Sequence, residues 1–258
     1  MGAGIRLYMR IINHTYNNTI DVVYESFKHQ YSVDGEVIPG VTSILDVLSK
    51  PALMYWAANM AADYWKENIA PGKSYDELQL DAIWQRSKKA HTQKKTDSAT
   101  LGSFVHKWVE DYINGKDPGV PVNEQMRGAT ERWLAWVKKH DVKFLLSEQL
   151  VYSKKHRYAG TTDFICKIDG EMWLGDIKTS SAVYDTYIAQ AASYLNARVE
   201  EYPKEKYVGV VIVRVGKEDG ELETVTKTVK ELDPYFRLFV NCLSTYRSLK
   251  ELESLSGK

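Results

Sequence analysis

The 258 residues, 44% hydrophobic and 26% charged, carry enough apolar material for a packed core and exclude a disordered chain. Thirty-four basic side chains balance 34 acidic ones, which excludes a whole-molecule field drawing the protein to nucleic acid or anionic lipid; any such attraction must be local. With two cysteines, no secretory segment and no apolar run long enough to span a bilayer, the expectation is a reducing, cytoplasmic protein without a membrane partner.

A chain of this length suits one domain with embellishments, and no internal repeat divides it. Its first predicted element is a hairpin from about Ile20 to Ile38, where β-branched and aromatic residues flank Asp34-Gly35, a pair suited to a tight turn. From Thr42 to His140 the pattern is helical, interrupted by Pro51, Pro71, Pro118 and Pro121, so several helices are expected. Within it, Trp84 to Lys95 carries Arg86, Lys88, Lys89, His91, Lys94 and Lys95, a phosphate-facing surface or a solvated helix face. Strands are predicted near Lys143 to Tyr152, Tyr158 to Ile168 and Met172 to Thr179, then a helix near Asp185 to Tyr202. Two more strands, near Tyr207 to Val215 and Leu222 to Val229, precede a helix from about Asp233 to Leu255. Strands flanked by helices on this scale imply a mixed α/β sheet.

The second hairpin places chemistry. If Asp169 and Gly170 form a two-residue turn, Ile168 faces Glu171, and counting back rung by rung sets Asp163 opposite Asp176. Opposed side chains share a sheet face with Cβ atoms about 5 Å apart, so two carboxylates there repel and call for a cation. The period of two puts Lys178 on the same face as Asp176. Two carboxylates with open positions suit a hard divalent ion, which polarises a phosphoryl oxygen and acidifies water, while a lysine orients that water or stabilises developing charge. The chemistry expected is phosphodiester hydrolysis. Asp141-Val142-Lys143 offers the same triplet but follows a helix end and lacks an acid-bearing partner strand. A bulge or a longer turn would move one acid to the other face.

Gly160-Thr161-Thr162-Asp163, Asp176-Ile177-Lys178-Thr179-Ser180 and Gln190-Ala191-Ala192-Ser193-Tyr194 resemble, in order and spacing, the signature of RecB-type nucleases of the PD-(D/E)XK superfamily. Gly102-Ser103-Phe104-Val105-His106 resembles that family's helix-borne histidine motif, and Tyr31 to Leu48 resembles the amino-terminal segment of phage and mitochondrial genome maintenance exonucleases more weakly. The resemblance implies a restriction-endonuclease-like α+β core, a central mixed sheet flanked by helices. Residues 99–258 would be the catalytic core, and residues 1–98 an N-terminal hairpin and helical embellishment of the same domain. It implies that Asp163, Asp176, the Ile177 carbonyl and His106 ligate Mg2+ or Mn2+, that Lys178 assists the attacking water, and that Glu148 is an auxiliary acid. Gln190 and Tyr194 would hold DNA or the catalytic loop; their spacing of four puts them on one helix face, where lining the site is preferred to ordinary packing against the sheet. Iron–sulfur branches of the family carry four cysteines, and this chain has only Cys166 and Cys242, so no such cluster is expected.

The resemblance implies a DNA exonuclease acting on linear ends in phage or bacterial recombination, repair or replication, within a bacterial or phage-infected cell and conceivably as a homo-oligomer. A structure- or sequence-specific endonuclease and a non-catalytic DNA-binding module on the same scaffold are the alternatives. His14, His29, His91, His140 and His156 have no motif around them, and His106 with Glu110, one helical turn apart, lacks the further ligands of a zinc site. Tyr55, Trp56, Tyr64, Trp65 and Trp84 are read as packing residues or as stacking platforms for unpaired bases.

Overall fold

The computed structural model describes residues 10–48, 50–216 and 220–256. An antiparallel sheet opens the chain: β1 (Arg10–Thr15), β2 (Ile20–Glu25), β3 (Gln30–Val33) and β4 (Glu36–Ile38), paired in chain order. Asp34 and Gly35, with φ of 52° and 79°, supply the two left-handed residues that the β3–β4 turn needs. The sequence reading contains this hairpin but not β1. Ile11 and Ile12 of β1 are 42% and 50% exposed, so the strand has no buried stripe and is defined by its pairing with β2.

Helices follow: α1 (Val41–Leu45), α2 (Pro51–Asn68), α3 (Glu77–Ser87), α4 (Ala90–Ile113) and α5 (Glu124–Lys139). Their starts follow local chemistry. Pro51 opens α2, where its missing N–H costs nothing. Asp76 and Gln79 form a reciprocal capping box on α3, and Asn123 accepts from the Met126 amide at 3.0 Å to cap α5.

The second sheet is built from β5 (Lys143–Ser153), β6 (Tyr158–Ile168), β7 (Glu171–Lys178), β8 (Tyr207–Val215) and β9 (Leu222–Thr228), ordered β5-β6-β7-β8-β9. All neighbours are antiparallel except β7 and β8, which run parallel and are joined by α6 (Asp185–Glu201), the long crossover that parallel strands require. Helix α7 (Asp233–Leu255) closes the described chain. The architecture is a mixed α+β fold, and no described helix is long and apolar enough to cross a membrane.

The chain divides into two compact units, Met1–Val47 with Val105–Lys258, and Leu48–Phe104. Val22, Val33 and Ile38 of the first sheet share a buried cluster with Tyr152 and Ala159, so the amino-terminal sheet packs with the second sheet and only the helical stretch is separate. In the larger unit Trp133, Trp136, Phe144 and Phe164 form an aromatic core, with Trp133 and Phe164 edge to face at 5.4 Å. In the smaller unit α2 buries no residue, and Tyr55 and Trp84 are 72% and 46% exposed. The basic run lies at the end of α3 and the start of α4, where the Lys88 ammonium sits 3.5 Å over the Trp84 ring.

Candidate active site

Strands β6 and β7 meet in the register that the Asp169-Gly170 turn dictates, from Ile168–Glu171 back to Phe164–Gly175. Both turn residues are left-handed, with φ of 52° and 83°. Gly175 is required at its rung, because a Cβ there would lie 1.9 Å from the Phe164 ring. Regular pairing ends here, one rung short of the two acids. Beyond it the Thr162 hydroxyl donates to the Gly175 carbonyl at 3.0 Å, and the Ile177 amide donates to Asp163 Oδ2 at 2.6 Å. Side chains of β6 thus replace backbone as partners of β7, and they hold the Asp163 carboxylate beside the Asp176–Lys178 stretch. Ile177, expected to offer its carbonyl, meets Asp163 through its N–H.

On the other side of β6, Ser147–Phe164 and Gln149–Thr162 pair, which brings Glu148 level with Asp163. Glu148 has φ of 48°, left-handed backbone inside a strand, a conformation that disfavours a residue carrying a Cβ. From α4, His106 Nδ1 approaches Asp163 Oδ1 at 3.1 Å. One ligating atom from each of His106, Glu148 and Asp163 lies within 4.8 Å of the others, so these three form a group able to hold a metal ion. Glu148 is therefore a member of the donor group and not only a neighbour of it.

Asp176, 3% exposed at its side chain, turns to Lys178, whose Nζ lies 2.7 Å from Asp176 Oδ2. That contact is an ion pair without hydrogen-bond direction, and Oδ2 has no hydrogen-bond partner. Lys178 Nζ donates instead to Gln190 Oε1 at 2.9 Å and sits 4.9 Å from the centre of the Tyr187 ring. The Gln190 amide donates onward to the Tyr194 hydroxyl at 2.8 Å. Tyr194 lies flat on the backbone of Gly160, where a Cβ would meet its ring at 2.3 Å. Gln190 and Tyr194, predicted on one helix face, thus form a relay from Gly160 to the Lys178 ammonium.

The electrostatics follow from burial and proximity. Burial, partly offset by Lys178 and reinforced by Asp163, pushes the Asp176 carboxyl up to about 6. Partial desolvation and then Asp163 push Glu148 up to about 7. Burial alone would raise Asp163 as well, but His106, Lys178 and the Ile177 amide overcome it and hold that carboxyl below its ordinary value. The Asp163 charge raises His106 against the opposing effect of burial. Lys178 is pulled down by burial and lifted further by Asp176 and Asp163, so it stays an ammonium. Two carboxyls whose ionisation is opposed, beside a third that is charged, favour an added cation. The imidazole of His106 with the carboxylates of Glu148 and Asp163 fits a hard divalent cation with oxygen and imidazole ligands, while Asp176 lies outside this group and pairs with Lys178.

Sequence reasoning missed the tyrosines beside this group. Tyr31 of β3 reaches the Thr161 hydroxyl at 3.2 Å, and Tyr24 stacks on Tyr31 with ring centres 4.8 Å apart. No spacing encodes this, because it depends on one sheet docking on another. The rival Asp141-Val142-Lys143 is a solvent-exposed ion pair of 3.7 Å at the start of β5. His14, His29 and His91 pair with Asp21, Tyr24 and Thr92, and none is a member of the donor group.

No protein-family model matches the chain, and no curated protein is similar to it in sequence. Among solved structures, one named SSO0001 is 11% identical, with a TM-score of 0.36 over 78% of this chain and 87% of that one. A protein of Eubacterium rectale, provisionally named an exonuclease, is 14% identical, with a TM-score of 0.41 over 80% of this chain and 87% of that one. Likenesses at this level carry no functional argument, which rests on the residues themselves.

Proposed function

We propose that this protein is a divalent-metal-dependent phosphodiesterase that acts on DNA, as an exonuclease at linear ends. The observation that carries the reading is the convergence of His106, Glu148 and Asp163, donor atoms within 4.8 Å, beside the buried Asp176–Lys178 ion pair. The resemblance of the Asp163, Asp176–Lys178 and Gln190–Tyr194 segments to RecB-type nucleases supports DNA as the substrate.

In this reading His106, Glu148 and Asp163 hold Mg2+ or Mn2+. When bound, the ion supplies Lewis-acid polarisation of a phosphoryl oxygen and acidification of a water. The chain's own residues do the rest. Lys178, kept charged by two carboxylates and aimed by Gln190, donates to the phosphoryl oxygens as negative charge grows on them. Asp176 Oδ2, paired with Lys178 Nζ at 2.7 Å, helps to hold that ammonium in place. The Ile177 amide keeps the Asp163 carboxylate from turning away, and Tyr194 keeps Gln190 in place.

The test is incubation of linear and covalently closed circular DNA with Mg2+ or Mn2+. Linear DNA should be degraded and circular DNA spared; equal cutting of circles would replace the exonuclease with an endonuclease. Asp176→Ala and Lys178→Ala should each lower the rate by roughly a hundredfold or more. Undiminished cleavage by either variant, or no cleavage by the parent protein, would sink the proposal.

A further inference from the structure

The residues around the acids occupy three alternate rungs of the β5–β6 ladder. Tyr152 pairs with Ala159, Leu150 with Thr161, and Glu148 stands level with Asp163. Alternate residues share a face, and the amino-terminal sheet covers the first two rungs. Val22, Val33 and Ile38 share a buried cluster with Tyr152 and Ala159, Tyr31 and Leu150 pack against that cluster, and the Tyr31 hydroxyl meets the Thr161 hydroxyl at 3.2 Å. The third rung carries the acids, two residues along β6 from the Thr161 that Tyr31 meets, and Tyr24 adjoins Tyr31. Tyr24 is the cross-strand partner of Tyr31, lies on its ring at 4.8 Å with a tilt of 33°, and has its hydroxyl fixed by His29 Nδ1 at 3.1 Å. Burial and the Glu148 carboxylate both raise the Tyr24 phenol.

A half-buried aromatic ring backed by a second ring, held at both ends and bordering a cluster of acids, has the form of a stacking surface. Tyr24 is neither in the buried cluster of this sheet nor among the residues packed against it. We propose that Tyr24, backed by Tyr31, is the base platform of the site and stacks on an unpaired nucleobase next to the phosphodiester under attack. Stacking tolerates any base, because each has a π face. The platform therefore selects for an unpaired end without selecting a sequence, and Tyr31 is its positioning residue. This rests on the reading of the site as a nuclease.

The experiment uses the full chain, with Tyr24→Ala, Tyr24→Phe and Tyr31→Phe, on two single strands: one bearing all its bases, one abasic near the end attacked. With Mg2+ or Mn2+, Tyr24→Ala should raise KM about tenfold on the base-bearing strand, leave kcat nearly unchanged, and behave like the parent on the abasic strand. Tyr24→Phe should retain parental behaviour, because the ring and not the hydroxyl does the stacking. Tyr31→Phe should shift KM in the same direction by less. A 2-aminopurine placed at the end and bound with Ca2+ in place of the active ion should be quenched by the parent and not by Tyr24→Ala. Parental kinetics for Tyr24→Ala on both strands, or an equal loss on both, would overturn the platform and leave the nuclease standing. Tyr24-dependent quenching by a parent that cleaves neither strand would uphold the platform and overturn the nuclease. Neither cleavage nor quenching by the parent overturns both.

Discussion

Partial desolvation of its carboxyl, in a residue that is exposed overall, and the neighbouring Asp163 carboxylate both oppose ionisation at Glu148, so its folded pKa of about 7 stands above the ordinary 4.5. A raised folded value means that the folded chain holds this proton after the unfolded chain has released it. The stability it contributes is complete below about pH 4.5, is lost as the pH rises through 7, and is absent above that. Glu148→Gln cannot ionise and should melt higher than the parent at pH 8 in a chelating buffer, the difference closing by pH 4.5. Thermal melts across that range check it, and a difference that grows on acidification would refute it. The same protons must leave for a dication to bind, since His106 is also raised. Affinity for Mn2+ should therefore increase from pH 6 to pH 8, as calorimetry would measure.

Among elements, the β6–β7 hairpin carries the most consequence for the least sequence. Asp169 and Gly170 fix its register, and the register brings Asp163 to the Asp176–Lys178 stretch. One residue inserted between Asp169 and Gly170 would slip the ladder and turn one acid to the opposite face. The expected result is a folded chain, by circular dichroism, that no longer gains melting temperature from Mn2+; full retention of that gain would contradict the register argument. This local encoding explains why β5 to β9, α6 and α7 were legible to within a residue or two. Each is patterned along its own length, and the turns between them name their types. It also explains what was not legible. Strand β1 has no buried stripe, the left-handed backbone of Glu148 has no sequence mark, and the Tyr31–Thr161 contact joins positions 130 residues apart. Asp163, Asp176 and Lys178 were readable because a two-residue turn relates them, whereas the membership of Glu148 in the donor group depends on how β5 bends.

At the scale of the molecule, the aromatic core behind the site ties stability to chemistry. Phe164 is fully buried, touches Trp133, Trp136 and Phe144, and immediately follows Asp163 in the chain. Phe164→Ala should cost about 3–5 kcal/mol in the larger unit, read by denaturant unfolding, because the cavity lies among rigid rings that close poorly. A loss below about 1 kcal/mol would mean that the core can collapse around the gap, contrary to the packing described. The helical unit Leu48–Phe104, with no buried residue in α2, has no comparable centre. The mirror-handed backbone at Glu148 has a final implication for how such a molecule is tuned. Glycine or asparagine would sit there at ease, and durability alone would favour either. A carboxylate kept where its own main chain resists it leaves the fold less robust than it could be, and this tension points to the side chain's task as the reason for its presence.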